Sequence, residues 1–167
     1  MRLFVAIHFS SEVKSLLADT IARLRRLDPY ANFTRPENLH LTLAFIGESR
    51  NVAAAAEAIQ SCRRPAFEIT VGGFGHFGQL YWVGIRKNPQ LTHLAKTLQD
   101  SLRERGFNIE RREFKPHITI ARRVSLPSPV QMEVADTPMR VGRISLMKSE
   151  RLNGRLTYTE VFGMDLE

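Results

Sequence analysis

The chain of 167 residues is poor in the features that mark secreted, metal-bound or membrane-embedded proteins: it has one cysteine, no His-x-His pair and no long apolar run. Cys62 can form no internal disulfide and has no CxxC partner, so a buried, inert thiol is expected, compatible with a reducing compartment. Leu3 to Ile7 is far shorter than the ~20 apolar residues of a membrane span. Ser10, Glu12 and Lys14 follow at once, so the opening reads as a strand rather than a leader. A cytoplasmic protein with no membrane partner is expected. Carboxylates are also scarce. Against 24 Lys and Arg there are 17 Asp and Glu, a net charge of +7, and the isoelectric point is near 10.2. Such a field concentrates polyanions and raises their encounter rate, though a solubilising surface needs no more than this.

The remaining composition, with 43% apolar and 25% charged residues, is that of an ordinary globular domain. At this length one core, or two small lobes sharing one, can be buried without staples. Arg2 to Phe9 alternates as a strand, with Leu3, Val5 and Ile7 on one face and Phe4, Ala6 and His8 on the other. Ser10 or Ser11 caps a helix that runs to Asp28-Pro29. A strand over 39–47 and an alanine-rich helix over 52–62 follow. Segments 67–74 and 81–86 read as a hairpin, and Pro89 opens a helix stopped by Gly106. A further strand spans 117–124. A Pro-rich connector (Pro127, Pro129, Pro138) then leads to a closing pair, 141–149 and 156–162, across Asn153-Gly154. Mixed strands and three amphipathic helices without regular βαβ units predict an α+β fold with antiparallel sheet, as one two-lobed domain over 1–167.

Two of these strands carry the same text. Asn38-Leu39-His40-Leu41-Thr42-Leu43-Ala44 and Lys115-Pro116-His117-Ile118-Thr119-Ile120-Ala121 both read His, apolar, Thr, apolar, Ala. Side chains alternate along a strand, so each copy presents an imidazole and a hydroxyl on one face and sends Leu41, Leu43, Ile118 and Ile120 to a core. If each lobe offers one such strand to a shared cleft, with helices on the outer faces, two imidazoles can act as general base and general acid on one phosphodiester. Thr42 and Thr119 then donate to its nonbridging oxygens. Arg122 can add a charge-assisted contact, but strict alternation places Arg123, not Arg122, on the face of His117. A bulge or the strand's end is needed to use it.

The paired strands, flanked by Pro36-Glu37-Asn38 and Phe45-Ile46-Gly47 in the first and followed by Arg122 in the second, resemble those of the two-histidine phosphoesterases. Within these the match is to the RNA 2',3'-cyclic phosphodiesterases, also named 2'-5' RNA ligases. The opening Arg2-Leu3-Phe4-Val5-Ala6-Ile7, the Tyr81-Trp82-Val83-Gly84 strand and the Gly154-Arg155-Leu156-Thr157-Tyr158 segment extend the likeness over nearly the whole chain. The resemblance implies a bilobal, pseudo-two-fold arrangement of two antiparallel sheets flanking a cleft. It implies hydrolysis of a 2',3'-cyclic phosphate at an RNA 3' end to a 2'-phosphate, with no metal or other cofactor, by a monomer. His40 and Thr42 match the first motif, His117 and Thr119 the second, and Arg122 the arginine after it. By that likeness His117 is the base toward water and His40 the acid toward the departing 3' oxygen. One departure stands out: His8 occupies a position where relatives often carry Asp.

Other uses of these residues are weaker. The His-x-Thr spacing and solitary cysteine do not suit a metal site. A non-catalytic RNA-binding protein is the alternative from another class, but lysine or arginine grips phosphate better than histidine at neutral pH. A 2'-5' ligase running the reverse reaction is another. Phe45 and Trp82 are candidates to stack on a base, with core packing the more ordinary use of each. Parity sets Phe45 on the face opposite His40 unless a bulge intervenes.

Overall fold

The computed structural model describes residues 1–167. In chain order its elements are β1 (Arg2–Ile7), α1 (Ser11–Leu27), β2 (Asn32–Phe33), β3 (Leu41–Glu48), α2 (Val52–Gln60), β4 (Phe67–Phe77), β5 (Leu80–Ile85), α3 (Pro89–Glu104), β6 (His117–Arg122), β7 (Thr137–Val141), β8 (Arg143–Leu152) and β9 (Arg155–Asp165). They form two antiparallel sheets, ordered β3-β1-β8-β9 and β2-β6-β5-β4-β7. The lobes are therefore not the two halves of the chain. Both ends of the chain build the first sheet, and the middle builds most of the second.

Local chemistry accounts for most boundaries. Ser10, Asn51 and Asn88 each accept a hydrogen bond from a backbone N–H in the first turn of α1, α2 and α3. Asn153 and Gly154 both have positive φ, 52° and 77°, which the tight β8–β9 hairpin requires. One strand, β7, lies in the segment read as a Pro-rich connector. It pairs with β4 through Phe67↔Val141 to Val71↔Thr137. Its position at the sheet edge, where an N–H can be dispensed with, is what makes Pro138 tolerable.

A single core runs through both lobes. Leu3, Val5 and Ile7 of β1, Leu41 and Leu43 of β3 and Ile118 and Ile120 of β6 are nearly or fully buried in it, beside the apolar stripes of the three helices. Each such side chain contributes roughly 1.5–3 kcal/mol relative to exposure. The helices tie the lobes together. α1 follows a strand of the first sheet yet packs on β6 and β7 of the second; α3 follows β5 of the second sheet and packs on β3 of the first. Cys62, just past α2, is buried, and burial pushes its thiol pKa up. No helix is long and apolar enough to cross a membrane.

Candidate active site

The two motif strands meet. β3 and β6 belong to different sheets, yet some of their Cα atoms lie within 8 Å of one another. Their apolar residues face the core, which turns His40, Thr42, His117 and Thr119 toward the space between the sheets.

Both imidazoles are held alike. His40 Nδ1 lies 2.7 Å from the Asn38 carbonyl, and His117 Nδ1 lies 2.7 Å from the Lys115 carbonyl, in each case two residues back. A carbonyl can only accept, so each Nδ1 carries the proton and each Nε2 is left for chemistry. Thr42 Oγ1 is 2.9 Å from His40 Nε2 and donates to it when the ring is neutral. The support of His40 is itself anchored: buried Asn38 donates through Nδ2 to the Leu156 carbonyl at 3.0 Å, and Arg35 donates to the same oxygen.

The surroundings of the two rings differ. His40 sits against Phe4 and Tyr158, with ring centroids 4.9 and 5.2 Å away. Phe4, Ala6 and Met147 form a small apolar cluster there, apart from the main core. Burial is the main cause holding the His40 pKa below its ordinary value. The Asn38 hydrogen bond opposes this, while the charges of His8, Arg122 and His117 reinforce it. His117 meets only the Phe77 ring edge-on, at 5.2 Å. The charges of Arg122 and His117, both on β6, thus bear on His40 ahead of β3 in the other sheet.

Arg122 reaches that space because β6 is bulged. Trp82 faces Thr119 while its neighbour Tyr81 faces Ala121, so β6 carries one extra residue there. Ile120 and Ala121 are consecutive and both fully buried, and alternation resumes one position late, with Arg122 outward. The same irregularity occurs in β3. Ala6 faces Thr42 and Val5 faces Ala44, with Leu43 and Ala44 both buried. Phe45 is thereby paired with Phe4 on the face of His40 and Thr42, 54% exposed, with the Arg2 guanidinium 5.6 Å from its ring centre. Parity alone had set it on the opposite face.

A carbonyl at each bulge is held from outside the β1–β3 and β5–β6 ladders. Gln99 Nε2 of α3 donates to the Leu43 oxygen at 2.9 Å, and the Thr34 N–H donates to the Ile120 oxygen at 2.9 Å. Nothing in the local text of either motif signals this.

Three further residues shape the site. Tyr158 has its phenol pKa raised by burial, against the charges of Arg122 and Arg2. Continuing the β1–β3 register one step sets His8 against His40. Burial lowers the pKa of His8, with Glu160 opposing and Lys14 and Arg143 adding to the shift. Trp82 lies outside the core and directly across the ladder from Thr119. No three His, Cys, Asp or Glu side chains converge as a metal-holding group.

Residues 13–153 match the model of the 2'-5' RNA ligase superfamily. The RNA 2',3'-cyclic phosphodiesterase of Thermotoga maritima is 37% identical over 131 residues, 73% of this chain and 70% of that protein. The RNA 2',3'-cyclic phosphodiesterase of Escherichia coli is 32% identical over 169 residues, covering 95% and 92% of the two chains. Among solved structures, E. coli LigT in complex with 3'-AMP superposes with a TM-score of 0.88 at 28% identity, covering 99% of this chain and 97% of that one.

Proposed function

The chain belongs to the 2'-5' RNA ligase superfamily, and from that premise we propose that it is an RNA 2',3'-cyclic phosphodiesterase that opens the cyclic ester to a 2'-phosphate with two histidines and no metal. The observation that carries the reading is the matched pair of imidazoles. Each is fixed through Nδ1 to the carbonyl two residues back, which leaves Nε2 unprotonated in the neutral ring, and the two strands approach across the sheets.

In the proposed reaction the cyclic phosphate lies between the rings. His117 Nε2 takes a proton from water, whose oxygen bonds to phosphorus. The P–O3' bond breaks in line, and the O3' takes the proton of His40 Nε2, leaving a 2'-phosphate and a free 3'-hydroxyl. Thr42, Thr119 and Arg122 hold the nonbridging oxygens as charge builds on them. In the free enzyme, burial and neighbouring cations hold the His40 pKa below its ordinary value. An arriving phosphate anion favours the imidazolium, and an imidazolium of lowered pKa hands its proton on readily. The whole of 1–167 acts as one catalytic unit, in keeping with the core that runs through both lobes, and it acts as a monomer.

Incubating the protein with cytidine 2',3'-cyclic phosphate in EDTA, and identifying the product by phosphorus NMR, tests this. Chelator-insensitive release of the 2'-phosphate is expected. A 3'-phosphate product overturns the bond assignment, and RNA binding without turnover returns the chain to the non-catalytic reading.

A further inference from the structure

We propose that the groove between the β4–β5 hairpin and the start of α3, opening beside His117, is the subsite for the nucleotide that precedes the cyclic-phosphate end of an RNA strand. This deepens the function proposed above and rests on it. The groove encloses about 400 Å³, is lined by Phe77, Trp82, Lys87, Lys115 and His117 among others, and has no carboxylate in its wall.

Its floor is an aromatic surface that the backbone makes room for. A Cβ on Gly75 would lie 2.4 Å from Trp82 Cζ2, and one on Gly84 would lie 3.2 Å from Cζ3. The indole therefore lies over two glycines of neighbouring strands, one face on the sheet and the other toward the groove. Its Nε1–H has no acceptor in the protein, so the fit on the glycines, not a hydrogen bond, sets the ring in place. Phe77, 46% exposed, stands 5.5 Å from it at 48°. Aromatic faces of this kind accept any base by stacking.

The lysines say how long the ligand is. Lys96 and Lys148 are ion-paired, whereas Lys87 and Lys115 make no ion pair. A larger trough of about 490 Å³ along α3 is also basic, but its wall carries the carboxylates Asp100 and Glu113, and Asp100 is ion-paired to both Lys96 and Arg103. The cyclic phosphate is matched by Arg122 and the two threonines. Two uncommitted ammonium groups beyond it have a phosphate to hold only when the substrate carries a second one, as an oligonucleotide does and a mononucleotide does not.

Trp82 is the only tryptophan of the chain, so its fluorescence reports this subsite directly. A dinucleotide ending in a 2',3'-cyclic phosphate is titrated into the His40→Ala variant, and its 2'-phosphate product into the wild-type protein as a second probe. Both should quench the fluorescence, while cytidine 2',3'-cyclic phosphate should not. Replacing Lys87→Glu and Lys115→Glu together should raise the quenching midpoint about tenfold, and Trp82→Ala should cut the kcat/KM preference for dinucleotide over mononucleotide about tenfold. Dinucleotide binding seen by anisotropy of a labelled strand without quenching, or equal quenching by the mononucleotide, overturns the proposal. Quenching by dinucleotide with no hydrolysis by the wild-type protein leaves the subsite standing and removes the phosphodiesterase reading instead.

Discussion

The two motif strands share their residues and their bulge but not their surroundings. β3 delivers His40 between two aromatic rings, with its hydroxyl partner already in contact and its supporting carbonyl pinned through buried Asn38 to β9. β6 delivers His117 to the edge of an open groove, supported by a carbonyl whose own side chain, Lys115, is exposed. The residue after each bulge differs too: Phe45 in one strand, Arg122 in the other. Duplicate geometry with unequal enclosure is a way to give two identical side chains opposite jobs. Burial lowers the pKa of the enclosed ring, His40, while the other, His117, lies on the wall of the open groove.

The largest effects test the shared geometry. His40→Ala and His117→Ala should each lose ~10²-fold or more in turnover. They should part company in thermal melts. His40→Ala empties the space between Phe4 and Tyr158 and should cost about 1–2 kcal/mol, whereas His117→Ala should stay within ~0.5 kcal/mol of wild type. Equal melts would contradict the unequal enclosure. Next come the hydroxyls: Thr42→Val and Thr119→Val should each cost on the order of 10²-fold in kcat. Only Thr42→Val removes a partner of an imidazole Nε2, so only it should move the pH profile of kcat/KM as well.

The bulges are tested by their partners. Gln99→Leu leaves the Leu43 carbonyl without its donor and should cost ~1–3 kcal/mol, read as a fall in Tm. Thr34→Val keeps the N–H bond to Ile120 and loses only the 2.9 Å hydroxyl bond to the Thr119 carbonyl, so its cost should be smaller, ~0.5–1.5 kcal/mol. The smallest effect concerns His8. When protonated, His8 disfavours protonation of His40, so His8→Ala should raise the His40 pKa. The activity limb that reflects loss of the His40 proton, which lies below the ordinary imidazole value near 6.5, should then move to higher pH. A limb that moves to lower pH or stays in place would show that His8 does not act on His40.

Much of this was legible in the sequence for a physical reason: period-two alternation and helix caps are local. Leu41, Leu43, Ile118 and Ile120 point inward as the pattern requires, Ser10 caps α1, and Asn153-Gly154 turns the last hairpin. The strand β7 was not legible, because Pro138 argues against a strand until its edge position is known. Phe45 and Arg122 failed the parity rule for one common cause, an extra residue in each strand just after the motif threonine.

The amino-acid text by itself determined the chemistry on offer: two His-x-Thr pairs, inward apolar neighbours and a basic surface, all properties of residues a few positions apart. Only the tertiary structure decided which other side chains join them. The donors to the bulge carbonyls of Leu43 and Ile120, Gln99 on α3 and Thr34 ahead of the first motif, come from segments 56 and 86 residues away in the chain. The placement of Phe45 on the face of His40 and of Arg122 on the face of His117 therefore follows from strand pairing between distant segments, which no local pattern encodes.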